Sequence, residues 1–329
     1  MQTPKLFALL PEEYACTPDG MAIHEDGDLI LSCPNFADRK LPGCLLKIDP
    51  GRKIVKWADV PVHPETGLAS PMGIAFGPDG DIYICDNQGW SGAPELAFKG
   101  RILRLRIRGH SVVQCTVVAD GMEHPNGIRI RGQHMYVTQS MLSRVKDPSG
   151  LLVSCVYRFH LDDREIQVTN TLADRNILTT FITLNPGCQY GADGIEFDSK
   201  GRLYVGNFGD GAVHRITFNP DGSARENEVW AKDPAQLQTT DGIKADERDN
   251  LYIADFSANA VARVTPEGRV TRIAQSPDTD GFNGELDQPG EPIIWRGMLI
   301  LSCFDLVTGP DKVNTRHEMP ATMSQLVPE

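Results

Sequence analysis

The chain has 329 residues, 44 of them acidic and 32 basic, and its formal net charge is -12 at pH 7. A chain this acidic, without a basic stripe to meet phosphates, is a poor match for nucleic acid. No apolar run is long enough to span a bilayer, and the start, MQTPKLFALLPEEY, lacks the basic residues and apolar core of a signal peptide. We therefore expect neither a nucleic-acid nor a membrane partner.

Strand-like patterns begin with KLFALL at residues 5–10 and then recur in six units. Each unit contains two runs rich in β-branched and aromatic residues, joined by a turn. The units begin at Asp19 (DGMAIHEDGDLILSC), Met72 (MGIAFGPDGDIYICDN), Asn126 (NGIRIRGQHMYVTQS), Asp193 (DGIEFDSKGRLYVGNFGDGAVHRI), Asp241 (DGIKADERDNLYIADFSANAVARV) and, in degenerate form, Glu291 (EPIIWRGMLILSC). Their period of roughly 50 residues is typical of propellers and solenoids.

Each unit continues into two further strand-like runs, such as AVARVTPEG and VTRIAQS after Asp241. Four strands per unit, without a convincing amphipathic helix, predict an all-β, six-bladed β-propeller with four-stranded antiparallel blades. A β-sandwich is the weaker alternative, because it does not require this internal symmetry. We expect one domain over residues 1–329, in which KLFALL pairs with the last blade as its outermost strand and closes the ring.

The eight cysteines are scattered along the chain and form no C-x-x-C pair. Several lie inside strand-like runs, namely Cys33, Cys85, Cys155 and Cys303. This pattern favours buried free thiols over disulfides or a zinc site. It predicts a cytoplasmic location.

The Asp-Gly and Asn-Gly pairs that open the units need an explanation beyond turn formation. Asp-Gly is a strong hairpin signal, but the units at Asp193 and Asp241 already contain separate turns, DSKGR and DERDN. In a propeller the first strand of each blade lines the central channel, so Asp19, Asp193 and Asp241 are expected to converge. Two like charges about 4 Å apart repel by roughly 4 kcal/mol at an effective dielectric constant of 20.

The positions that open the six units contain no Lys or Arg, which leaves protonation or a bound cation as the source of neutralisation. Carboxylates together with the amide oxygen of Asn126 suit one hard divalent cation, Ca²⁺ above all, with Mg²⁺ or Mn²⁺ as alternatives. Open positions on such a cation are where a substrate oxygen binds. The other interpretation is that the cation only ties the blades together, or that these residues are ordinary turn formers.

Four segments together resemble the SMP-30/gluconolactonase/LRE-like family, which includes gluconolactonases, regucalcin and the squid-type diisopropylfluorophosphatase. They are HPNG at residues 124–127, GADGIEFDSKGRLYVGNFGDGAVHRI, TTDGIKADERDNLYIADF and the closing HEMPATMSQLVP. The resemblance extends over nearly the whole chain and implies a six-bladed propeller with one divalent cation, usually Ca²⁺, in the channel. Most members hydrolyse lactones, and a few cleave organophosphates.

By this resemblance the metal ligands are Asp19, Asn126, Asp193 and Asp241. Asp241 falls on the family's essential aspartate, which implies that it is both a ligand and the catalytic base or nucleophile. Two positions depart from the family pattern: Asp19 replaces a Glu, and Asp193 replaces an Asn. The site is therefore expected to be more negative than in relatives.

Five residues are candidates for substrate binding. Asn126 is one of them, and His124 falls where some relatives place a substrate-gripping Arg. Asn87 and Asn207 follow second strands and would face the pocket rim, although both are also good turn residues. Trp90 lies in a long segment that is expected to border the pocket. A second insertion, with Met141, Leu142, Arg144 and Lys146, could form a lid or a basic wall.

The leading hypothesis is a metal-dependent lactonase that opens a small, polar, sugar-type lactone by attack of water on a metal-polarised carbonyl. Hydrolysis of a phosphotriester or another ester at the same site is the second hypothesis. The third is a non-catalytic propeller that binds a partner and holds a structural ion. Carboxylates gathered on the axis argue against this third hypothesis.

Overall fold

Six sheets surround a central axis, and the computed structural model describes them through residues 1–309 and 312–328. All their strand pairs are antiparallel except one in the second sheet. Each sheet is one blade of a propeller. The innermost strand of every blade contacts the innermost strand of the next, and the ring closes between the sixth blade and the first. The predicted all-β, six-bladed propeller is confirmed.

The chain enters through β1 (Lys5–Leu9) and then builds the first three blades from the axis outward. Their strands are β2 (Met21–Ile23), β3 (Leu29–Cys33), β4 (Cys44–Ile48) and β5 (Ile54–Asp59); β6 (Pro71–Phe76), β7 (Ile82–Asp86), β8 (Gly100–Arg108) and β9 (Ser111–Met122); and β10 (Pro125–Arg131), β11 (His134–Gln139), β12 (Val153–His160) and β14 (Ile177–Ile182). Strand β13 (Ile166–Gln167) leaves the third blade and pairs in parallel with β9. The second blade therefore has five strands, where four were predicted.

The last three blades follow the same order. Their strands are β15 (Ala192–Phe197), β16 (Leu203–Asn207), β17 (Ala212–Phe218) and β18 (Ala224–Lys232); β19 (Ile243–Ala245), β20 (Leu251–Asp255), β21 (Ala260–Val264) and β22 (Val270–Gln275); and β23 (Pro289–Trp295), β24 (Met298–Cys303) and β25 (Thr322–Leu326). Short 3-10 helices occupy Gln88–Ser91, Pro94–Leu96, Phe208–Asp210 and Phe256–Ala258. Among the described residues, no helix is long and apolar enough to cross a membrane.

The sixth blade is completed by the N-terminal strand, as the sequence predicted. Strand β1 pairs with β25 in antiparallel register, with Lys5 opposite Gln325 and Leu9 opposite Thr322. The first and last strands of the chain thus share one sheet. This pairing covers the edge of β25 and joins the ends of the ring.

The core lies between neighbouring blades, because each blade is covered on both faces. As a result, the second strands β3, β7, β16 and β20 contain only buried residues and show no alternation between polar and apolar positions. Seven of the eight cysteines are buried or partly buried, only Cys115 is exposed, and all eight are free thiols. The prediction of free thiols is therefore confirmed.

The glycine of each Asp-Gly or Asn-Gly pair serves the close packing of strands at the axis. A Cβ atom on Gly20 would lie 2.5 Å from the carbonyl oxygen of Met72, and one on Gly127 would lie 2.8 Å from that of Asp193. Neither glycine has a positive φ, so a tight turn is not what requires them. Only glycine lets the backbone of one blade approach the next this closely.

Candidate functional site

The polar residues that open the units come together in one cavity of about 450 Å³ on the propeller axis. Asp19, Asn126, Asp193 and Asp241 all line it, and Met72 lines it from the second blade. They come from five successive blades, so residues as distant in sequence as Asp19 and Asp241 share one space. The predicted convergence of these side chains is therefore observed.

Hydrogen bonds between blades hold the backbone at these positions. The hydroxyl of Ser32 donates to the carbonyl of Met72 at 2.6 Å, that of Thr138 to Asp193 at 2.6 Å, and that of Ser302 to Asp19 at 2.7 Å. Each hydroxyl comes from the second strand of one blade and fixes the axial residue of the next. The orientation of the axial side chains thus depends on the closed ring.

The three axial carboxyl groups lie in an environment that opposes their ionisation. Burial, with the negative charge of Glu291, raises the pKa of Asp19 to about 8. Burial also raises the pKa of Asp193 and Asp241 far above the usual range, and the neighbouring carboxylates add to both shifts. No hydrogen bond joins any two of these three groups in the described part of the chain. A divalent cation would relieve this repulsion, and the donors present, carboxylate and amide oxygens, suit a hard ion.

A hydrogen-bonded cluster borders the carboxylates. The hydroxyl of Tyr190 lies 3.1 Å from Nδ1 of His124, and Nδ2 of Asn126 donates to the same hydroxyl at 3.3 Å. Burial lowers the pKa of His124 to about 4, so its imidazole is neutral at pH 7. Tyr190 was not among the predicted site residues, since it precedes the repeat motif in a segment without a strand pattern.

Two predicted substrate contacts prove to lie behind the cavity wall. Asn87 is fully buried, does not line the cavity, and places its Nδ2 atom 2.9 Å from Nδ1 of His124. Asn207 is also fully buried; it accepts from the hydroxyl of Thr183 at 2.9 Å and donates to the carbonyl of Ile182 at 3.0 Å. Neither amide lines the cavity. Both amide atoms of Asn207 make internal hydrogen bonds, whereas Asn87 uses Nδ2 on His124 and its buried Oδ1 has no hydrogen-bond partner.

In the sixth blade the axial position lies one residue earlier than the degenerate repeat predicted. Pro289 pairs with Cys303 in the register in which Pro125 pairs with Gln139, so Gly290, and not Glu291, occupies the position of Asn126. Glu291 instead accepts a hydrogen bond from Nη2 of Arg129 at 2.7 Å. It therefore belongs to an ion-pair network within the channel and does not line the cavity.

Aromatic rings form the walls of the cavity. Trp90, Phe304, Phe256, Phe208, Tyr190 and His124 follow one another in this order, with centroids of neighbouring rings 5.0–5.8 Å apart. We refer to these six residues as the aromatic collar. Three of them directly follow the second strands of the last three blades, in NF, DF and CF. The collar was not predicted, but this recurrence of Phe at one phase of the repeat is the sequence pattern that indicates it.

The two long insertions contribute unequally to the cavity. Trp90 lines it, as predicted, and stacks on Phe36 with centroids 4.4 Å apart. Of the second insertion only Met141 lines it; Leu142 is buried in the core, and Arg144 lies over the ring of Phe98 at 4.1 Å. The basic wall predicted from Arg144 and Lys146 is therefore not formed at the cavity. Among the described lining residues, Lys312 is the one Lys or Arg.

Comparison with known proteins rests on structure alone, since no family model and no curated sequence matches the chain. A luciferin-regenerating enzyme is 12% identical, covers 99% of this chain and 95% of its own, and has a TM-score of 0.67. A gluconolactonase from Xanthomonas campestris is 16% identical, covers 100% and 96%, and has a TM-score of 0.61. Regucalcin from Agrobacterium tumefaciens, described as a calcium-binding protein, is 12% identical, covers 98% and 93%, and has a TM-score of 0.60. The chain therefore has the six-bladed propeller fold of the SMP-30/gluconolactonase-like structures.

Proposed function

We propose that the protein is a divalent-metal-dependent hydrolase that opens a lactone ring in the axial cavity. The observation that carries this proposal is the gathering of three carboxylates and one amide at the axis, beside a cavity large enough for a small organic molecule. Asp19, Asp193 and Asn126 are buried, and Asp241 is partly buried. A propeller that served only as a scaffold would gain no stability from carboxylates that repel one another at its axis. The structural similarity to a gluconolactonase supports the same reaction class.

Asp19, Asn126, Asp193 and Asp241 would hold the cation, Ca²⁺ before Mg²⁺ or Mn²⁺. When bound, the cation would polarise the lactone carbonyl and stabilise the negative charge that develops on its oxygen. The calcium-binding protein regucalcin, which has the same fold, supports the preference for Ca²⁺. All four residues offer oxygen donors, which Ca²⁺ accepts in a flexible geometry.

The chain's own residues supply proton transfer and orientation. Asp241, at the cavity surface, accepts a proton from the attacking water and returns it to the alkoxide that leaves when the ring opens. His124, neutral at pH 7, places a ring nitrogen at the same cavity as a hydrogen-bonding partner for a substrate oxygen. Tyr190 holds His124 and Asn126 in position through its hydroxyl.

The walls favour a lactone with a planar apolar body over the polyhydroxylated sugar lactone expected from the sequence. A sugar needs several hydrogen-bonding partners, whereas the collar offers mainly ring faces and edges, with Met72 and Met141 beside them. Ser91, Thr308 and Lys312 are the polar side chains outside the axial and collar groups. We therefore assign an aryl or alkyl lactone as the substrate class.

The test is acid release by metal-stripped protein, measured with and without added Ca²⁺, Mg²⁺ or Mn²⁺. The panel contains dihydrocoumarin, an aliphatic δ-lactone, gluconolactone and an aryl phosphotriester. We expect metal-dependent turnover that is fastest with dihydrocoumarin. A phosphotriester preferred over every lactone would identify the second hydrolytic activity, and no metal-dependent turnover of any compound would refute the enzyme proposal.

Asp241→Asn should lower turnover at least about 100-fold while the fold is retained, because the base is lost. Asp246→Asn is the matched control in the same blade. Asp246 accepts backbone and Asn250 hydrogen bonds in a turn, and it lies outside the cavity lining. Equal activity of the two variants would exclude a catalytic role for Asp241.

A further inference from the structure

A second group of carboxylates lies in the sixth blade, outside the axial cavity. Asp287 precedes β23, Asp305 follows β24 and Glu318 precedes β25. One carboxylate oxygen from each of the three lies within 4.8 Å of the other two. Asp287 and Asp305 are each only 1% exposed, so water does little to screen their charges.

Buried oxygens around this group lack hydrogen-bond partners. Oδ1 of Asp287, Oε2 of Glu318 and Oγ1 of Thr322 are all shielded from solvent and make no hydrogen bond. Thr322 is 2% exposed and is not itself an acidic residue, so it is an observation independent of the carboxylates. Buried polar atoms are normally paired, so the unpaired oxygens of Asp287, Glu318 and Thr322 indicate that a further partner fits this group.

The unpaired hydroxyl of Thr322 and the side chain of Asp287 both lie beside Gly281. A Cβ atom on Gly281 would lie 2.7 Å from Oγ1 of Thr322 and 3.2 Å from Cβ of Asp287. Gly281 also has a positive φ of 67°, a conformation that disfavours a side chain. A side chain at residue 281 would intrude into the space beside these two groups, whereas glycine leaves it open.

Asp305 is oriented by its own hydrogen bonds. Its Oδ1 accepts from Nδ2 of Asn314 at 3.0 Å, and its Oδ2 accepts from the backbone N–H of Glu318 at 2.8 Å. Nδ1 of His317 lies 3.2 Å from the same Oδ2. These contacts fix the carboxylate of Asp305, and its Oδ1, which has one partner, retains a lone pair for a further one.

The carboxyl groups of this cluster oppose one another's ionisation. Burial, together with the charges of Asp305 and Glu318, raises the pKa of Asp287 to about 8. Arg316 pairs with Oε1 of Glu318 at 3.2 Å, but its own side chain is largely exposed. The group therefore gains from a cation that reaches the buried oxygens directly.

We propose that Asp287, Asp305, Glu318 and the hydroxyl of Thr322 bind a second hard divalent cation, Ca²⁺ by donor chemistry. Ca²⁺ binds oxygen ligands at about 2.4 Å, so two ligands on opposite sides of one ion are at most about 4.8 Å apart. The spacing of the three carboxylate oxygens meets this limit. The site is separate from the axial one and does not depend on the proposed function.

This cation would tie part of the cavity wall to the sixth blade. Asp305 and Glu318 begin and end the segment 305–318, and Val307, Thr308 and Lys312 of this segment line the axial cavity. Asp287 anchors both ends to the start of β23. The second site thus fixes the wall on the side of the sixth blade.

The test is isothermal calorimetry of the full-length, metal-stripped protein titrated with Ca²⁺ alone. We expect two Ca²⁺ per wild-type chain, one per Asp287→Asn chain and two per chain of the control Asp280→Asn. Asp280 is not a proposed ligand, and its Oδ1 accepts a hydrogen bond from the N–H of Phe282 that an Asn can also accept. Its charge contributes to the raised pKa of Asp287, so the control also tests whether loss of a neighbouring charge alone removes the ion. Asp287→Asn keeps the size and shape of the side chain, so the variant should fold.

Two further variants distinguish the second cation site from the axial one. Asp241→Asn should retain one Ca²⁺ and a Ca²⁺-dependent rise in melting temperature, and Asp241→Asn/Asp287→Asn should lose both. An Asp287→Asn chain that binds as many Ca²⁺ as the wild type, within a factor of two in affinity, would overturn the proposal. One Ca²⁺ in the wild type that is lost in Asp287→Asn and kept in Asp241→Asn would support the second site and contradict only the axial one. Failure of the lactonase assay would leave these binding results unaffected.

Discussion

Arg129 of the third blade and Glu291 of the sixth meet across the propeller axis, with Nη2 of the arginine 2.7 Å from Oε1 of the glutamate. Nε of Arg129 also donates to Glu196 of the fourth blade at 3.2 Å. Glu196 in turn accepts from Nζ of Lys244, in the fifth blade, at 2.8 Å. Four blades are therefore linked by one network of charges within the channel.

Replacement of Arg129 by Met should destabilise the protein by about 3–5 kcal/mol. The change leaves Glu196 and Glu291 in a buried place with only Lys244 nearby, and removal of one partner from a buried ion pair has a cost of this order. Urea unfolding measures the difference. Arg131→Met, at an exposed position of the same strand, is the control and should cost less than about 1 kcal/mol.

The effect of Arg129→Met should depend on pH. Burial raises the pKa of Glu196, but Arg129 and Lys244 outweigh it and hold the pKa below the ordinary value. In the wild type this stabilisation is present above about pH 4.5 and is lost as the pH falls through the folded-state pKa. In the variant the same carboxyl groups have raised pKa values and become neutral at low pH.

The stability difference between wild type and Arg129→Met should therefore shrink between pH 7 and pH 4. Urea unfolding at pH 7, 5.5 and 4 gives this difference directly. For Arg131→Met the difference from wild type should stay constant over the same range. A gap for Arg129→Met that widens on acidification would contradict the assigned ion pairs.

Much of the architecture could be predicted from the sequence, because the repeat carries it. The alternating runs and their turns recur in every blade, and the unpaired run before Asp19 indicated closure by β1. The axial position of Asp19, Asp193 and Asp241 followed from the phase of the repeat. The strands, turns and axial positions that recur in each repeat could therefore be predicted from the sequence alone.

Contacts between distant, non-equivalent positions could not be predicted in this way. Arg129 reads as an ordinary strand residue, and its partner Glu291 is 162 positions further along the chain. Gly290, and not the next residue Glu291, occupies the axial position of the sixth blade. The sequence of this degenerate repeat does not show which of the two it is. The role of Asn87 likewise depends on His124, which only the fold brings within reach.

The closure of the ring should depend on Phe7 in β1. This side chain is 5% exposed and packs edge-to-face on Trp295 with ring centroids 5.8 Å apart. Phe7→Ala should lower the free energy of unfolding by about 3 kcal/mol or more. Leu9→Ala, at a 45% exposed position of the same strand, should change it by less than about 1 kcal/mol. Equal melting curves for both variants would refute a role for β1 in closure.

Tyr190→Phe should reduce kcat about tenfold with little change in KM. The ring remains in the collar, but the hydroxyl that contacts His124 and Asn126 is lost, a change of about 1–2 kcal/mol in positioning. Steady-state kinetics with dihydrocoumarin separates the two constants. In the control Tyr83→Phe, the removed hydroxyl has no hydrogen-bond partner among the described residues, and both constants should stay at wild-type values. An unchanged kcat for Tyr190→Phe would exclude the positioning role.

Trp90 should determine the preference for an apolar substrate. Its ring stacks on Phe36 at 4.4 Å and lies 5.4 Å from Phe304, so it is held as one rigid face of the collar. Trp90→Ala should raise KM for dihydrocoumarin at least about tenfold, since stacking and buried area are lost, and should change KM for an aliphatic δ-lactone less than about threefold. Trp90→Phe should lie between wild type and Trp90→Ala. If Trp90→Ala raises KM equally for both lactones, or if the wild type prefers gluconolactone, the collar does not select for the apolar part of the substrate.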